Sequence, residues 1–218
     1  MVRAVVFDVG ETLIDETRIW TRWAERLGVP ALTFLGVLGG CAALGLQHTD
    51  AFAMVRPGLD LDAEEAAWAA DDPDGLRSGF DADDLYPDVV PALTALRAAG
   101  LRLVIAGNQP PRALAALRAM NLPVDEIRNS AELGVEKPAP AFFAAAAELA
   151  GVPPQEIAYV GDRTDNDVLP AADAGMIPVL IRRGPWGYLH ARRPEAARAH
   201  VVDSLLELPQ LLKGLTAA

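Results

Sequence analysis

Residues 5–13 read Val5-Val6-Phe7-Asp8-Val9-Gly10-Glu11-Thr12-Leu13, an apolar run that ends in a carboxylate and a turn. A continuous apolar run rich in β-branched residues predicts a parallel strand that is buried on both faces. A parallel strand carries the polar residue at its end to the carboxyl edge of the sheet, where open α/β folds place their sites. We therefore expect a parallel sheet with Asp8 at its functional edge.

Three further segments follow this one along the chain. They read Leu103-Val104-Ile105-Ala106-Gly107-Asn108, then Gly134-Val135-Glu136-Lys137-Pro138, then Tyr159-Val160-Gly161-Asp162-Arg163-Thr164-Asp165-Asn166-Asp167. The first and the last of the three also begin with an apolar run and end in a polar residue followed by a turn. An Asp, an Asn, a Lys and a loop with paired acids at one edge are suited to a phosphate and magnesium site.

In their order and rough spacing, the four segments resemble the sequence motifs of the haloacid dehalogenase-like (HAD) hydrolase superfamily. Single motifs of this kind occur often by chance, but four in order, followed by Ala172-Asp173-Ala174-Gly175-Met176, are hard to assemble accidentally. The resemblance implies an α/β fold: a Rossmann-like parallel-sheet core with a small all-helical cap domain inserted after the first strand. We expect residues 1–15 plus 86–218 to form the core and residues 16–85 the cap, which would close over the carboxyl edge and select the substrate.

The pattern along the chain agrees with this division. Apolar residues recur at helical spacing in the insert, with no period-two alternation, so we expect helices there. Beyond residue 86, helices are predicted at 89–99, 110–120, 139–150 and 167–174, and strands at 101–106, 126–130, 157–161 and 177–182, after a first strand at 2–8. A last short strand and helix are expected within 201–213, and a turn at 71–75. Residues 182–188 are predicted to be a loop with packed and solvated side chains, or a contact with the cap or a second copy.

The resemblance also implies catalytic and metal-binding roles. Asp8 would be the nucleophile that forms an acyl phosphate, and Lys137 would supply fixed positive charge to the nucleophile and the phosphoryl group. The implied cofactor is Mg²⁺, which prefers oxygen ligands. Its ligands would be Asp8, the backbone carbonyl of Gly10 and Asp162, with Asp167 as a ligand or as an outer-shell residue that orients bound water.

Substrate binding is expected at Asn108, Gly107, Lys137 and Thr12, with Thr12 bracing its own loop rather than doing chemistry. Two positions depart from the common phosphatase pattern. Gly10 replaces a second Asp whose proton transfers contribute roughly 10²–10⁴-fold to the rate. The adjacent Glu11 is expected to point elsewhere on the loop; the alternative is that the loop re-aims its carboxylate to substitute for the missing acid. Gly107 replaces a Ser or Thr, although a glycine N–H can still bind phosphate.

Three functions remain open on these residues. The first is a Mg²⁺-dependent phosphatase of a small phosphorylated metabolite, acting through an aspartyl-phosphate on Asp8. The second is a metal-free 2-haloacid dehalogenase, against which the acid at Asp162 counts. The third is a non-catalytic or weakly active binding protein on the same fold, motivated by Gly10 and Gly107 together.

Composition adds limits. The chain has 218 residues and 51% hydrophobic content, enough for one α/β core and a small accessory domain, and no apolar run reaches the roughly 18 to 20 residues of a membrane span. The net charge of −11 disfavours nucleic acid and anionic membranes as partners. The single cysteine, Cys41, excludes an internal disulfide and predicts a cytoplasmic location. The oligomeric state, monomer or homodimer, stays open.

The other notable side chains are expected to be structural. The three histidines, His48, His190 and His200, show no ligand spacing. The tryptophans of the insert are expected to pack its helices against one another, with the alternative that one of them faces the substrate cleft; they are Trp20, Trp23 and Trp68.

Overall fold

The protein is described by a computed structural model that covers residues 1–72 and 79–215. Six strands form one sheet: β1 (Ala4–Phe7), β2 (Arg102–Gly107), β3 (Glu126–Asn129), β4 (Ile157–Gly161), β5 (Ile177–Ile181) and β6 (His200–Val202). Their order is β3-β2-β1-β4-β5-β6, and every neighbouring pair is parallel. The parallel α/β sheet expected from the sequence is confirmed.

The chain forms two compact units, one of Met1–Asp15 with Leu85–Ala218 and one of Glu16–Asp84. The smaller unit contains the helices α1 (Thr17–Leu27), α2 (Ala31–Leu44), α3 (His48–Val55) and α4 (Leu61–Asp71). Its described residues, 16–72 and 79–84, contain no strand, so the helical insert is confirmed there. Residues 73–75 of the predicted turn at 71–75 lie outside the described part of the chain.

An aromatic cluster holds the smaller unit together. The rings of Trp23 and Trp68 meet edge to face at 4.4 Å between centroids, and Phe52 contacts Trp23 in the same way at 4.9 Å. Trp20 lies 6.3 Å from both Phe34 and Phe52. Edge-to-face contacts of this kind are the favoured arrangement of aromatic pairs, and the packing role expected for the three tryptophans is confirmed.

Helix α2 runs without a break through Gly36, Gly39 and Gly40 and ends at Gly45, which adopts the left-handed conformation common at helix ends. Within the described residues no single helix is long and apolar enough to cross a membrane. Taken together, α1 and α2 meet the length and composition of a span, but they are bent by 115° with respect to each other.

The larger unit surrounds its sheet with the helices α5 (Val89–Ala98), α6 (Pro111–Ala119), α7 (Ser130–Leu133), α8 (Pro140–Ala150), α9 (Leu169–Asp173), α10 (Gly184–His190) and α11 (Leu208–Gly214). Phe142 and Phe143 of α8 pack in one buried cluster with Val6, Val104 and Tyr159 of the sheet. This apolar packing holds the strands in place, so that their polar ends reach a common edge.

Two predictions for the last third of the chain need correction. The loop predicted at 182–188 is wrong, because residues 184–190 form helix α10. Pro185 is the second residue of that helix, in the first turn, where a missing N–H group has little cost. The helix predicted at 167–174 starts earlier, with a π-helical turn at Thr164–Val168 that continues into α9.

Candidate active site

The predicted site residues follow neighbouring strands. Strand β1 lies between β2 and β4, with Phe7 paired to Ile105 and to Val160. Asp8 comes directly after β1, and the amide N–H of Asp8 donates to the carbonyl of Val160 at 2.9 Å. Asp162 comes directly after β4. The carboxyl ends of parallel strands share one edge, so the sheet brings these two carboxylates together.

Lys137 lies at the centre of the site. Its Nζ is 2.7 Å from Asp8 Oδ1 and 2.6 Å from Asp167 Oδ1, and only 3% of the residue is exposed. Burial by itself lowers the pKa of Lys137, but the carboxylates of Asp167 and Asp8 raise it well above its ordinary value. Lys137 is therefore a fixed cation rather than a proton donor at neutral pH.

Three buried carboxylates converge beside this lysine. One oxygen from each of Asp8, Asp162 and Asp167 lies within 4.8 Å of the others. Burial, followed by the charges of Asp167 and Asp8, raises the pKa of Asp162 well above its usual range. Burial also raises the pKa of Asp167, to about 6, although Lys137 opposes this shift. When all three carboxylates are ionised, they exceed the charge of the one ammonium, and this all-oxygen set can hold a hard divalent cation.

Both oxygens of Asp167 already have protein partners. Oδ1 accepts from Lys137 Nζ, and Oδ2 accepts from the backbone N–H of Arg163 at 3.0 Å. The carboxylate fits because residue 161 is glycine: a Cβ on Gly161 would lie 2.3 Å from Asp167 Cγ. The contacts of Asp167 suit an outer-shell residue better than a direct metal ligand.

Asn108 links the second motif to the third. Its Nδ2 donates to the carbonyl of Lys137 at 2.9 Å, and its Oδ1 accepts from the Lys137 N–H at 2.8 Å. The side-chain amide therefore positions the lysine backbone. The neighbouring Gly107 leaves room for the nucleophile, since a Cβ there would lie 2.6 Å from Asp8 Oδ1. A Ser or Thr at this position would require Asp8 to turn.

The loop after β1 closes tightly on itself. The N–H groups of Thr12, Leu13 and Ile14 all donate to the carbonyl of Val9, at 2.8–3.3 Å. Thr12 is fully buried, and its hydroxyl has no hydrogen-bond partner among the described residues. Its carbonyl instead accepts from Arg183 Nη1 at 2.6 Å. The backbone of Thr12 thus ties the loop to the segment that follows β5.

Glu11, next to Gly10, makes contacts with two other segments of the chain. Its backbone has a positive φ of 49°, and its Oε2 accepts a hydrogen bond from the hydroxyl of Tyr86. The side chain lies across the backbone of Gly184, where an added Cβ would be 2.5 Å from Glu11 Cγ. Its carboxylate is therefore bonded to Tyr86 and packed against Gly184.

Comparison with known proteins identifies the family of the chain. A family model described as haloacid dehalogenase-like hydrolase matches residues 2–175. The chain belongs to this family. This HAD-like hydrolase is 30% identical over 231 residues to the glyceraldehyde 3-phosphate phosphatase of Methanopyrus kandleri, with 99% of each chain covered.

The name of another relative refers to a different reaction, dehalogenation. The chain is 29% identical to (S)-2-haloacid dehalogenase 1 of Pseudomonas sp. strain CBS-3, covering 99% of this chain and 98% of that one. The crystal structure of a HAD phosphatase from Thermococcus onnurineus superposes with a TM-score of 0.61 at 24% identity, over 98% of this chain and 99% of the other, and shows the shared fold. The family thus identifies a hydrolase, while the reaction must be argued from the site.

Sequence reasoning missed the residues that brace the site from behind. Arg183 and Tyr86 contact the loop after β1, and His190 contacts the loop after β4. An arginine in an arginine-rich chain and a histidine without ligand spacing carry no pattern that points to a site. Gly161 does carry a signal, because a glycine between a strand and an acid often marks a position where another group approaches the backbone closely.

Proposed function

We propose that this protein is a Mg²⁺-dependent phosphatase of a small phosphorylated metabolite, with Asp8 as the nucleophile. The observation that carries the proposal is the buried cluster of Asp8, Asp162 and Asp167 around the single ammonium of Lys137. A cluster with surplus negative charge is costly to bury unless a cation balances it. A metal-free dehalogenase binds no cation that would balance this surplus negative charge.

The donor set fits Mg²⁺, which takes one or two carboxylates together with water and substrate phosphate. Asp8, Asp162 and the carbonyl of Gly10 would be direct ligands. Asp167, whose two oxygens have protein partners, would act through bound water. When bound, the ion offsets the repulsion between the nucleophile and the phosphoryl group and orients the attack.

The protein side chains divide the remaining work. Asp8 attacks phosphorus through its carboxylate, so that a bond forms between Asp8 and the phosphoryl group as the bond to the leaving oxygen breaks; water then hydrolyses this acyl phosphate. Lys137, held cationic by Asp167 and Asp8, stabilises the charge on the phosphoryl oxygens. Asn108 fixes the backbone of Lys137 in the orientation this requires.

The glycine at position 10 sets an expectation for the substrate. Gly10 has no group to protonate the leaving oxygen, and Glu11 is bonded to Tyr86. Substrates whose leaving groups depart without protonation should therefore react faster than alkyl phosphates, by roughly 10²–10⁴-fold. The relative named for glyceraldehyde 3-phosphate makes small phosphorylated aldehydes and sugars the first metabolites to test.

Hydrolysis of p-nitrophenyl phosphate tests the proposal, because its leaving group needs little protonation. We expect turnover with Mg²⁺, none with EDTA, and a loss of at least about 10³-fold in Asp8→Asn. In parallel, calorimetric titration with Mg²⁺ should detect binding to the wild-type protein and much weaker binding to Asp162→Asn, which keeps the nucleophile and Lys137.

Two results would contradict the proposal. Equal rates in wild type and Asp8→Asn, with Mg²⁺ binding retained, would support the non-catalytic binding protein. Release of chloride from 2-chloropropionate in the presence of EDTA would support the dehalogenase, the function in the name of the 29% identical relative.

A further inference from the structure

Helix α10 presents two buried aromatic side chains on one face. Trp186 and His190 are four residues apart and therefore lie above one another on the helix surface. Trp186 is 5% exposed and His190 is fully buried. Both contact the loop after β4: the Arg163 guanidinium lies 5.2 Å from the centre of the Trp186 ring, and His190 contacts Thr164.

The contact between His190 and Thr164 is a hydrogen bond to the backbone. His190 Nδ1 accepts from the N–H of Thr164 at 3.0 Å and lies 3.0 Å from Thr164 Oγ1. Thr164 starts the π-helical turn that leads into α9. The first N–H groups of any helical turn have no partner within the turn, so His190 supplies one from a different element.

The loop held in this way carries the acids of the candidate site. Asp162 lies two residues before Thr164, and Asp167 lies three residues after it. The N–H of Arg163 donates a hydrogen bond to Asp167 Oδ2 at 3.0 Å, and the next N–H, that of Thr164, donates to His190 Nδ1. These two consecutive bonds determine how the backbone turns between the two carboxylates. Single π-helical turns are frequent at functional sites.

The protonation state of His190 follows from this bond. Since Nδ1 accepts from an amide, the proton of the neutral ring must sit on Nε2. Nε2 has no hydrogen-bond partner among the described residues, although it is buried. Burial, followed by the charge of Arg193, lowers the pKa of His190 to about 4, so the ring is neutral at neutral pH.

An unpaired buried N–H is a cost that a packing residue would avoid. A phenylalanine or leucine would fill the same space without an unsatisfied polar atom. The imidazole therefore contributes more than its volume at this position: its Nδ1 accepts from the Thr164 N–H at 3.0 Å, and it also faces Thr164 Oγ1 at 3.0 Å and Asp165 Oδ1 at 3.9 Å.

We infer that His190 is a positioning residue for the metal-binding loop: its Nδ1 fixes the Thr164 amide, and through it the directions of the Asp162 and Asp167 carboxylates. The inference rests on the proposed function, since it concerns the same cation site. His190 acts through the loop after β4, so it should alter how tightly the ion binds rather than the chemistry at Asp8.

Three substitutions separate the acceptor from the volume of the ring. The amide oxygen of His190→Asn can occupy the place of Nδ1, whereas the amide of His190→Gln reaches the place of Nε2, away from Thr164. His190→Phe keeps a ring and has no acceptor. Each variant should be titrated with Mg²⁺ by calorimetry, and kcat for p-nitrophenyl phosphate should be measured at saturating Mg²⁺.

We expect His190→Asn to bind Mg²⁺ nearly as tightly as the wild-type protein. His190→Gln and His190→Phe should bind it roughly 10–100-fold more weakly, which is the usual effect of losing an outer-shell partner. At saturating Mg²⁺ all three should regain most of their kcat. Amide hydrogen exchange followed by NMR in EDTA should be faster at Thr164 in the Gln and Phe variants, while the strands of the sheet stay protected.

Each contrary result has a separate meaning. Wild-type affinity for Mg²⁺ in folded His190→Phe would overturn the inference and leave the phosphatase proposal standing. Equal weakening in all three variants would also overturn it, because the acceptor would then be irrelevant. Absence of Mg²⁺ binding by the wild-type protein would remove the proposed function together with the inference. If His190→Phe fails to fold, the Asn and Gln pair and the exchange rate at Thr164 still decide the question.

Discussion

The two loops that carry the acids of the site are held in opposite ways by one segment of the chain. The loop after β1 is held by Arg183, whose Nη1 donates to the carbonyl of Thr12 at 2.6 Å. The loop after β4 is held by His190, whose Nδ1 accepts from the amide of Thr164 at 3.0 Å. Both bracing residues follow β5. One is a charged donor and the other a neutral acceptor.

The difference concerns what each contact depends on. Arg183 pairs with Asp88, and its guanidinium lies 4.1 Å from the centre of the Tyr86 ring, so the charge is balanced inside the protein. An arginine side chain stays protonated across the pH range of folded proteins. His190 accepts from Thr164 only while it is neutral, and the Asp165 carboxylate 3.9 Å from its Nδ1 is 40% exposed. The first brace should therefore resist a change of pH, and the second should not.

Removal of the charged brace should have the largest effect on stability. Arg183→Met leaves the Asp88 carboxylate, whose side chain is 12% exposed, without its ion-pair partner and the Thr12 carbonyl without its donor. Loss of one member of a buried pair typically costs 3–5 kcal/mol. Since Ser204 and the Leu205 N–H still donate to Asp88, we expect about 3 kcal/mol in the free energy of unfolding, measured with urea.

The adjacent residue provides the control for Arg183→Met. Arg182 pairs with Asp203 at 2.6 Å, but both side chains are largely exposed, at 42% and 61%. Exposed pairs contribute about 0–1 kcal/mol, so Arg182→Met should change little. Equal effects of the two substitutions would show that Arg183 does not brace the loop.

Two glycines allow a second comparison between the loops. A Cβ at Gly161 would meet Asp167 Cγ at 2.3 Å, and Asp167 is bonded through both oxygens. A Cβ at Gly107 would meet Asp8 Oδ1 at 2.6 Å, which is the end of a side chain that can rotate. Overpacking costs typically 1–3 kcal/mol. We expect about 2 kcal/mol for Gly161→Ala and about 1 kcal/mol for Gly107→Ala in urea denaturation.

The order of the two variants should be reversed for activity, with the larger loss of kcat in Gly107→Ala. Gly107→Ala turns the nucleophile away from Lys137 and should lower kcat for p-nitrophenyl phosphate more than its stability loss suggests. Gly161→Ala should weaken Mg²⁺ binding as well as folding. A Gly161→Ala protein as stable as wild type would mean that Asp167 is free to move despite its two bonds.

The neutral brace should show itself in the pH dependence of stability. His190 is surrounded by Asp165, Arg163, Arg193 and Glu195, and its pKa is lowered from 6.5 to about 4 in the folded protein. Between these values the unfolded chain binds a proton that the folded chain does not. The stabilisation that depends on a neutral His190 is therefore complete above pH 6.5. It is lost as the pH falls towards 4, by about 1 kcal/mol of unfolding free energy per pH unit.

His190→Asn isolates this term. Asp167, whose pKa is raised to about 6, contributes with the opposite sign, because its protonation favours the folded state as the pH falls. That effect is common to both proteins and cancels in their difference. The unfolding free energy of wild type minus that of His190→Asn should therefore decrease from pH 6.5 to pH 4.5. A difference that does not vary with pH would mean that His190 titrates normally.

Much of the fold was predictable because its signals are local. The apolar run before Asp8 and the run before Asp162 both proved to be strands of the parallel sheet. The loop predicted at 182–188 was wrong: residues 184–190 form a helix with Pro185 in its first turn, where proline is tolerated. The apolar stretch of α2 contains three glycines and is nevertheless one helix, because packing outweighs their weak propensity.

The candidate site was predictable in its members but not in their contacts. The order of the motifs was sufficient to nominate Asp8, Lys137 and Asp162. It did not show that the Asn108 side-chain amide hydrogen-bonds the backbone of Lys137, nor that the Glu11 carboxylate accepts a hydrogen bond from Tyr86. Such assignments depend on side-chain directions at the ends of different strands.

The sequence by itself determined which strands form and which acids, amide and lysine reach their common edge, because hydrophobic patterning and strand ends are properties of short segments. Only the tertiary structure decided what holds those residues in place. Arg183 reaches Thr12 across 171 positions of the chain, and His190 reaches Thr164 across 26. Both bonds exist because the segment after β5 packs against two separate loops, an arrangement that no local pattern encodes.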